Sequence, residues 1–361
     1  MTTIRAAVCH EFGAPLSIEE VTLAAPGADE VEVAVEAVAI CHSDISYADG
    51  AWGGALPAVY GHEAAGRVTA VGAGVRRLAV GDPVIVTLIR SCGQCPSCSG
   101  GHPVRCETPA ADAGPLTRAD GGPLVQGLST AAFAEKVVVH RSQVAPIPDD
   151  MPMDVASLLA CGVITGVGAV INSAGVRPGE SVVVVGAGGV GLNAIQGAVI
   201  AGARQVIAVD LSEEKLDDAR AFGATHGVLA TDPKPHRSVR EITGGRGADH
   251  VLVTVGAAQA YQDAPKFLAP GGTLVMVGMP PTGATVTYEP VVVAATSQVM
   301  RGSKMGDVVI SRDIPWLVDL YKQGRLELDA LISGRYPLDD INAAIADTRA
   351  GRARRNVIVL R

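Results

Sequence analysis

Ten residues in the middle of the chain, Val182-Val-Val-Val-Gly186-Ala-Gly188-Gly189-Val190-Gly191, constrain the fold more than any other stretch. A β-branched run breaks into Gly-x-Gly-x-x-Gly and then continues as the apolar segment from Leu192 to Ala201. That order reads as a buried strand, a tight turn and a helix. A Cβ on these glycines would block the turn or hold the backbone away from a pyrophosphate, and the helix start offers free N–H groups to that anion. Asp210 closes the next apolar run, Gln205–Val209, 19 positions after Gly191 (210 − 191). A carboxylate there accepts hydrogen bonds from the adenosine ribose and repels a 2′-phosphate, so the reading is NAD rather than NADP. The plain alternative is a glycine-rich turn with Asp210 as a capping acid.

The same grammar recurs from about Val163 onward. Ser181–Val185 and Gln205–Val209 read as strands. Ser212 caps a helix through Ala221. A strand over His250–Val255, a helix over Ala257–Leu268 and a strand over Thr273–Gly278 follow. Strands alternating with helices predict an α/β domain with a doubly wound parallel sheet over 163–303. The 43 glycines suit the many turns this requires. Before about Gln143 the pattern differs: Val31–Val35, Gly66–Val71 and Val84–Thr87 are short β-branched runs between Gly/Pro turns, as in an irregular antiparallel β domain. Segment 107–127 reads as a loop. After about Ser303 come two amphipathic helices, Asp313–Gln323 and Leu338–Ala350, and a closing strand, Val357–Leu360.

Charge and composition narrow the function. The net charge is −8, aromatic residues are 3%, and the one basic cluster is the short tail Arg352, Arg354, Arg355. Nucleic-acid binding is therefore not expected. Met1–Phe12 carries no secretory pattern. Ser181–Ala203 has no charged residue and is long enough to span a bilayer, but its six glycines with Asn193 and Gln196 fit the strand–turn–helix better. The expectation is a cytoplasmic protein without a membrane partner.

The seven cysteines, an odd number, argue for metal or catalytic use rather than a disulfide framework. Cys92, Cys95, Cys98 and Cys106 fall within fifteen positions, a spacing that closes a tetrahedral zinc site with no open corner, hence a structural one. The alternatives are a redox CxxC pair or His102 in place of one thiol. Cys41-His42-Ser43-Asp44 and Gly61-His62-Glu63 lie 21 positions apart (62 − 41), and Cys161 sits far downstream. Three such donors suit a catalytic zinc with one exchangeable position, but spacing alone does not bring Cys161 to Cys41. On an apolar helix Cys161 also reads as plain core.

Taken together, Cys-His-Ser-Asp, Gly-His-Glu, the four-cysteine loop, Cys161-Gly-x-x-Thr165 and the glycine motif resemble the zinc-dependent medium-chain alcohol dehydrogenases, in the family's order and over essentially the whole chain. The nearest flavour is the bacterial members similar to mycothiol- and glutathione-dependent formaldehyde dehydrogenases. The resemblance implies a GroES-like β-rich catalytic domain, 1–162 with 304–361 and a structural-zinc loop at 91–107, around a Rossmann domain. It implies two zinc ions per subunit and NAD. Cys41, His62 and Cys161 match the catalytic zinc ligands, and Asp44 and Glu63 the acids behind them. Ser43 matches the hydroxyl that takes the alcohol proton. His42 matches a pyrophosphate contact, Thr165 a nicotinamide neighbour, Lys215 an adenosine-ribose contact and Arg312 a basic residue near the pyrophosphate. Gly186, Gly188, Gly189, Val190, Gly191 and Asp210 complete the cofactor set. Zinc then acts as a Lewis acid on the substrate oxygen while hydride passes between the carbinol carbon and NAD.

Two departures stand out. Ser46 occupies the position where many members carry the histidine that ends the proton relay. Trp52 and Gly54 replace the acidic pair of the glutathione-dependent class. Ser43, Trp52, Leu88, Gly127, Leu128 and Met279 are the expected substrate surroundings, apolar and roomy, suited to medium-chain or aromatic primary alcohols. Oxidation of a mycothiol-type formaldehyde adduct is the second reading, and a non-catalytic nucleotide-binding protein the third. The resemblance also implies a homo-oligomer, dimer or tetramer, joined at a Rossmann edge strand such as Thr273–Val277 or its neighbour.

Overall fold

Alternation of Val, Ile and Ala with polar residues produces strands throughout the first 150 residues, and a computed structural model describes residues 1–108 and 114–360. Two compact units emerge: Met1–Cys161 with Val309–Gly324 and Leu328–Arg361, and Gly162–Val308 with Arg325–Glu327.

The first unit is a β structure of two sheets. One runs Leu116–Arg118, Ser17–Leu23, Thr2–Cys9, Ala58–Val59, Val125–Gln126. The other runs Val144–Pro146, Pro83–Val86, Glu63–Val71, Glu30–Ala39, Arg355–Val359, Ile332–Tyr336, with Lys136–His140 also on Glu30–Ala39. The ten-residue strand Glu30–Ala39 is the organiser. Its last residue, Ala39, lies opposite Glu63 on one side and Val357 on the other, and Ile40 N–H donates to the Asn356 carbonyl at 2.9 Å. This register delivers Cys41 beside the Gly61-His62-Glu63 turn and the C-terminal strand. Phe133, Leu23, Ile40 and Ile85 are among the fully buried side chains beneath it.

The second unit has six parallel strands in the order His226–Leu229, Gln205–Asp210, Ser181–Val185, Ala248–Val253, Leu268–Met276, Val299–Gly302. This is the doubly wound Rossmann order. Ser181–Val185 is buried along its whole length, which is why it reads as an unbroken apolar run. The helix Gly189–Ile200 follows it directly. Gly166 lets the helical segment Ile164–Gly168 close on it: a Cβ at Gly166 would lie 2.4 Å from the Val190 carbonyl oxygen. Gln196 reaches outward from the same helix, donating to the Glu327 carbonyl at 3.0 Å and accepting from Glu327 N–H at 2.7 Å. That clamp explains why Arg325–Glu327 belongs to this unit.

Several elements differ from expectation. The helix expected over Ala257–Leu268 is an α-turn, Ala258–Asp263, then a 3₁₀ segment, Ala264–Phe267, because Pro265 removes an α-helical donor. Leu268 already begins the next strand. The expected helix at Leu338 starts as a 3₁₀ turn and becomes α only over Ile341–Arg349. The 107–127 loop contains the strands Leu116–Arg118 and Val125–Gln126, while its residues 109–113 lie outside the described residues. Leu268–Met276 is an interior strand, so its neighbour Val299–Gly302 forms that sheet edge. Ser181–Ala203 is a strand, turn and helix. The one helical run among the described residues long and apolar enough to cross a bilayer is Met153–Ala174, and 89% of its most apolar window is buried.

The contact at Gly166 sets a test. Gly166→Val must push apart two backbones that nothing else can move, so overpacking of about 2–3 kcal/mol is expected, lowering the thermal midpoint by roughly 5 °C. A midpoint within 1 °C of wild type by calorimetry would refute the close-packing argument.

Candidate active site and metal centres

Asp44 assembles the first site. It is 2% exposed in the first turn of the helix His42–Ala48. Its Oδ2 accepts from Cys41 N–H at 3.1 Å, and its Oδ1 from Gly61 N–H at 2.9 Å. Oδ1 also lies 2.8 Å from His62 Nδ1. One carboxylate thus fixes the Cys41 backbone, the turn before His62 and the His62 ring. Gly61 has φ +90, and a Cβ there would meet Phe133 N at 2.5 Å, so only glycine permits the turn. Cys161 arrives from elsewhere, on the π-helical turn Leu159–Val163 of the run Met153–Ala174. Wide turns of this kind re-aim a side chain within a helix.

The donor atoms of Cys41, His62, Cys161 and Glu63 lie within 4.8 Å of one another, and all four residues are buried. With Nδ1 committed to Asp44, the buried His62 Nε2 has no hydrogen-bond partner among the described residues. An orphaned imidazole nitrogen beside two sulfurs is the arrangement a soft divalent cation satisfies. The charges agree. Contact with the Cys161 thiol, aided by His62 and Arg355 and opposed by burial, holds Cys41 well below the usual thiol range. Cys161 moves up as the proton-bearing partner. Burial disfavours a charged His62, but Asp44 and then Cys41 overcome it and raise its pKa.

Arg355, at the start of the C-terminal strand, is the residue sequence reading missed. In the sequence it reads as part of a short basic tail, yet it is 6% exposed and paired with the fully buried Glu63. Burial raises Glu63 to about 7 even against the pull of Arg355. Arg355 itself is shifted up by Glu63 and Cys41 despite burial. The only available signal was an arginine abutting an apolar strand. Arg352 is likewise tied, to Asp347 at 3.0 Å.

The second cluster is the half-buried loop of Cys92, Cys95, Cys98 and Cys106, whose sulfurs also lie within 4.8 Å of one another. Cys92 Sγ and Cys98 Sγ are 4.0 Å apart, close to the ~3.8 Å edge of a tetrahedral zinc–thiolate site. Backbone N–H groups turn inward, from Cys95 to Cys92 Sγ at 3.3 Å and from Cys92 to Cys106 Sγ at 3.4 Å. Hydrogen bonding from Thr108 and from the Gln94 and Cys95 backbone lowers Cys92 to about 6. His102 is not in this cluster.

In the second unit, Gly186 has φ +97, and a Cβ would strike Val255 at 2.3 Å. At Gly191 one would strike the Gly186 carbonyl at 1.8 Å, whereas Gly188 faces open space. Gly189 and Val190 begin the helix. Two glycines therefore close the turn, and the third leaves the outer face of the protein backbone open to approach. Asp210 ends its strand with Oδ2 accepting from Ala187 N–H at 2.7 Å and Oδ1 from Leu211 N–H at 2.7 Å, so its carboxylate is locked to the glycine turn.

The remaining expected residues divide between the units. In the first, His42 is exposed and Ser43, Trp52, Leu88 and Leu128 are half-buried. Gly127 is buried, but the space it leaves is filled: a Cβ would lie 2.4 Å from the Tyr60 ring, so this glycine serves packing rather than a roomy pocket. Leu128 holds φ +54, a strained conformation for a leucine. Arg312 is engaged by Asp313 at 2.6 Å. In the second unit, Thr165 donates to Met305 Sδ at 3.7 Å, Lys215 is half-buried and Met279 is 59% exposed.

Known proteins share this combination. Residues 27–149 match the alcohol dehydrogenase GroES-like domain and residues 189–323 the zinc-binding dehydrogenase domain. Alcohol dehydrogenase B of Mycobacterium tuberculosis is 38% identical over 98% of this chain and 97% of its own. The chain belongs to the zinc-dependent medium-chain alcohol dehydrogenases. It is a zinc-dependent alcohol oxidoreductase that uses a nicotinamide cofactor. A zinc-binding alcohol dehydrogenase from Burkholderia ambifaria superposes with a TM-score of 0.95 at 37% identity, covering 100% of this chain and 99% of that one. Benzyl alcohol dehydrogenase of Acinetobacter calcoaceticus gives 0.94 at 31%, covering 100% of both.

Asp44 carries the testable weight of the first site. Asp44→Asn keeps the shape but removes the charge behind His62, so zinc affinity in a chelator competition should fall about 10–100-fold. Undiminished retention would show that the carboxylate does not organise the metal.

Proposed function

We propose that this chain is an NAD-dependent dehydrogenase that oxidises primary alcohols, aromatic or of medium chain, to aldehydes, with two zinc ions per subunit. The observation that carries this is the buried convergence of Cys41, His62 and Cys161 around an unsatisfied imidazole nitrogen. Residues 1–162 with 304–361 are assigned to catalysis and 163–303 to the cofactor. Cys92, Cys95, Cys98 and Cys106 would hold a structural zinc.

Bound by Cys41, His62 and Cys161, zinc supplies a Lewis acid that favours ionisation of the alcohol near neutral pH. The nicotinamide ring supplies the hydride acceptor. The protein's own work is orientation and proton handling. Asp44 holds the His62 ring through Nδ1, leaving Nε2 without a hydrogen bond and open to the metal. Ser43 Oγ, half-buried two residues beyond Cys41, takes the alcohol proton and passes it outward. Ser46 has no basic lone pair useful near neutral pH, so the proton leaves by way of hydroxyls and water. His42 is assigned to the pyrophosphate, Thr165 to the nicotinamide and Lys215 to the ribose. Arg312, paired with Asp313, is assigned to the neighbourhood of the pyrophosphate. The fixed Asp210 carboxylate supports NAD over NADP, because a 2′-phosphate brought beside it meets like charge without relief. Trp52, Leu88, Leu128 and Met279 are proposed around the substrate. The benzyl alcohol named in the Acinetobacter protein supports an aromatic substrate.

The edge strand Val299–Gly302, with exposed Val291, Val292 and Val299 nearby, supports a homo-oligomer joined there. Seven cysteines, six of them proposed as metal ligands, support a reducing, cytoplasmic setting.

An alcohol panel read by NADH absorbance, with metal analysis, tests the proposal. Two zincs per chain and kcat/KM for benzyl alcohol at or above that for ethanol are expected. One zinc or none, or ethanol preferred more than tenfold, overturns it; a strict need for added thiol would identify adduct oxidation instead. Asp210→Ser should erode the NAD/NADP ratio of kcat/KM at least about tenfold, and an unchanged ratio would reject the cofactor assignment.

A further inference from the structure

The chain has only two tryptophans and six tyrosines, yet Tyr47, Trp52 and Tyr60 fall within fourteen residues, between the proposed ligands Cys41 and His62. They form one stack. The Tyr47 and Trp52 ring centroids are 5.1 Å apart at 82°, edge to face, and Tyr47 and Tyr60 are 6.1 Å apart at 23°. Tyr60 is the fixed end. It is 3% exposed, its hydroxyl donates to the Tyr47 carbonyl at 3.4 Å, and its ring occupies the space over Gly127. The turn after the helix His42–Ala48 folds Trp52 back: Gly50 N–H donates to the Tyr47 carbonyl at 3.0 Å and Ala51 N–H to the Ser46 carbonyl at 2.9 Å. Tyr47 is one helical turn from Ser43, at i+4, so the two share a helix face. Both are half-buried, as is Trp52.

We propose that Tyr47 is a positioning residue: pinned from behind by Tyr60, it fixes the tilt of the Trp52 indole as a rigid wall beside Ser43, and so favours alcohols carrying a planar, unsaturated group next to the carbinol carbon. Edge-to-face packing is directional, so the indole is held in one orientation rather than left to swing among rotamers. A wall fixed in advance saves the ordering that a mobile side chain would need on each binding event. A planar ring or allylic system lies flat on such a surface with its whole face in contact, whereas a puckered saturated ring of equal size touches it only through its axial C–H groups. The inference rests on the placement of Trp52 beside the substrate.

The test compares benzyl alcohol, cyclohexylmethanol and ethanol with wild type, Tyr47→Leu and Tyr47→Phe. Leucine keeps apolar bulk and removes the ring face; phenylalanine keeps the ring. For Tyr47→Leu, kcat/KM for benzyl alcohol should fall about tenfold, mainly through KM, and the benzyl/cyclohexylmethanol ratio should fall with it, while ethanol stays within about threefold. Tyr47→Phe should restore the ratio. If the three substrates fall together, or the ratio is unmoved, Tyr47 is ordinary packing and the inference is overturned while the dehydrogenase assignment stands. Wild type producing no NADH from any of the three would overturn the assignment and this inference with it. Should Tyr47→Leu not fold, Trp52→Leu read by the same ratio decides: an unchanged ratio overturns the wall.

Discussion

A single buried carboxylate holds the chemistry of this protein in place. Asp44 binds the backbone of Cys41, the backbone of Gly61 and the ring of His62, three groups drawn from two segments. Removing it would leave a buried imidazole free to turn and two donors without acceptors, each costly in a dry interior. Its position is itself imposed by the strand Glu30–Ala39, which ends where Glu63 and Val357 flank it. Sheet register thus decides where the proposed ligands Cys41 and His62 meet. The glycine at 61 completes the constraint, because the turn it makes is closed to every other residue.

The two thiol clusters show one element under different physical conditions. Around Cys41 the donors are buried together with Glu63 and Arg355, so each proton and charge is dictated by its neighbours. Around Cys92 the sulfurs are half-exposed and their charge is steadied by backbone N–H groups instead. The cluster proposed to exchange a ligand is drawn from remote, buried segments, and the one proposed to staple a loop from consecutive turns. Sequence proximity and chemical role are linked for that reason.

What could be seen in the sequence follows the same division. Local constraints were legible: the glycine turn, the four-cysteine loop and the alternation of strand and helix each depend on residues close along the chain. Cys41 and His62 were legible as motifs, but their meeting with Cys161 rested on resemblance, since the π-turn that aims Cys161 leaves no mark in its spacing. Arg355 was misread because its burial depends on a strand pairing across some three hundred residues. Gly127 was read as an opening because a missing side chain says nothing about what fills the gap; here it is Tyr60. The proline at 265 could have shortened its helix in advance, since the rule it obeys is local.

The C-terminal strand has a consequence for how the molecule comes into being. Arg355–Val359 lies in the middle of a sheet whose other central strands are drawn from the first seventy-one residues. During synthesis those early strands emerge some three hundred residues before their neighbour, and the pocket beside Cys41 lacks its guanidinium until Arg355 has been made. The Rossmann unit, almost continuous in sequence, faces no such wait. The Rossmann unit is therefore able to close before the β unit, whose central sheet waits for Arg355–Val359.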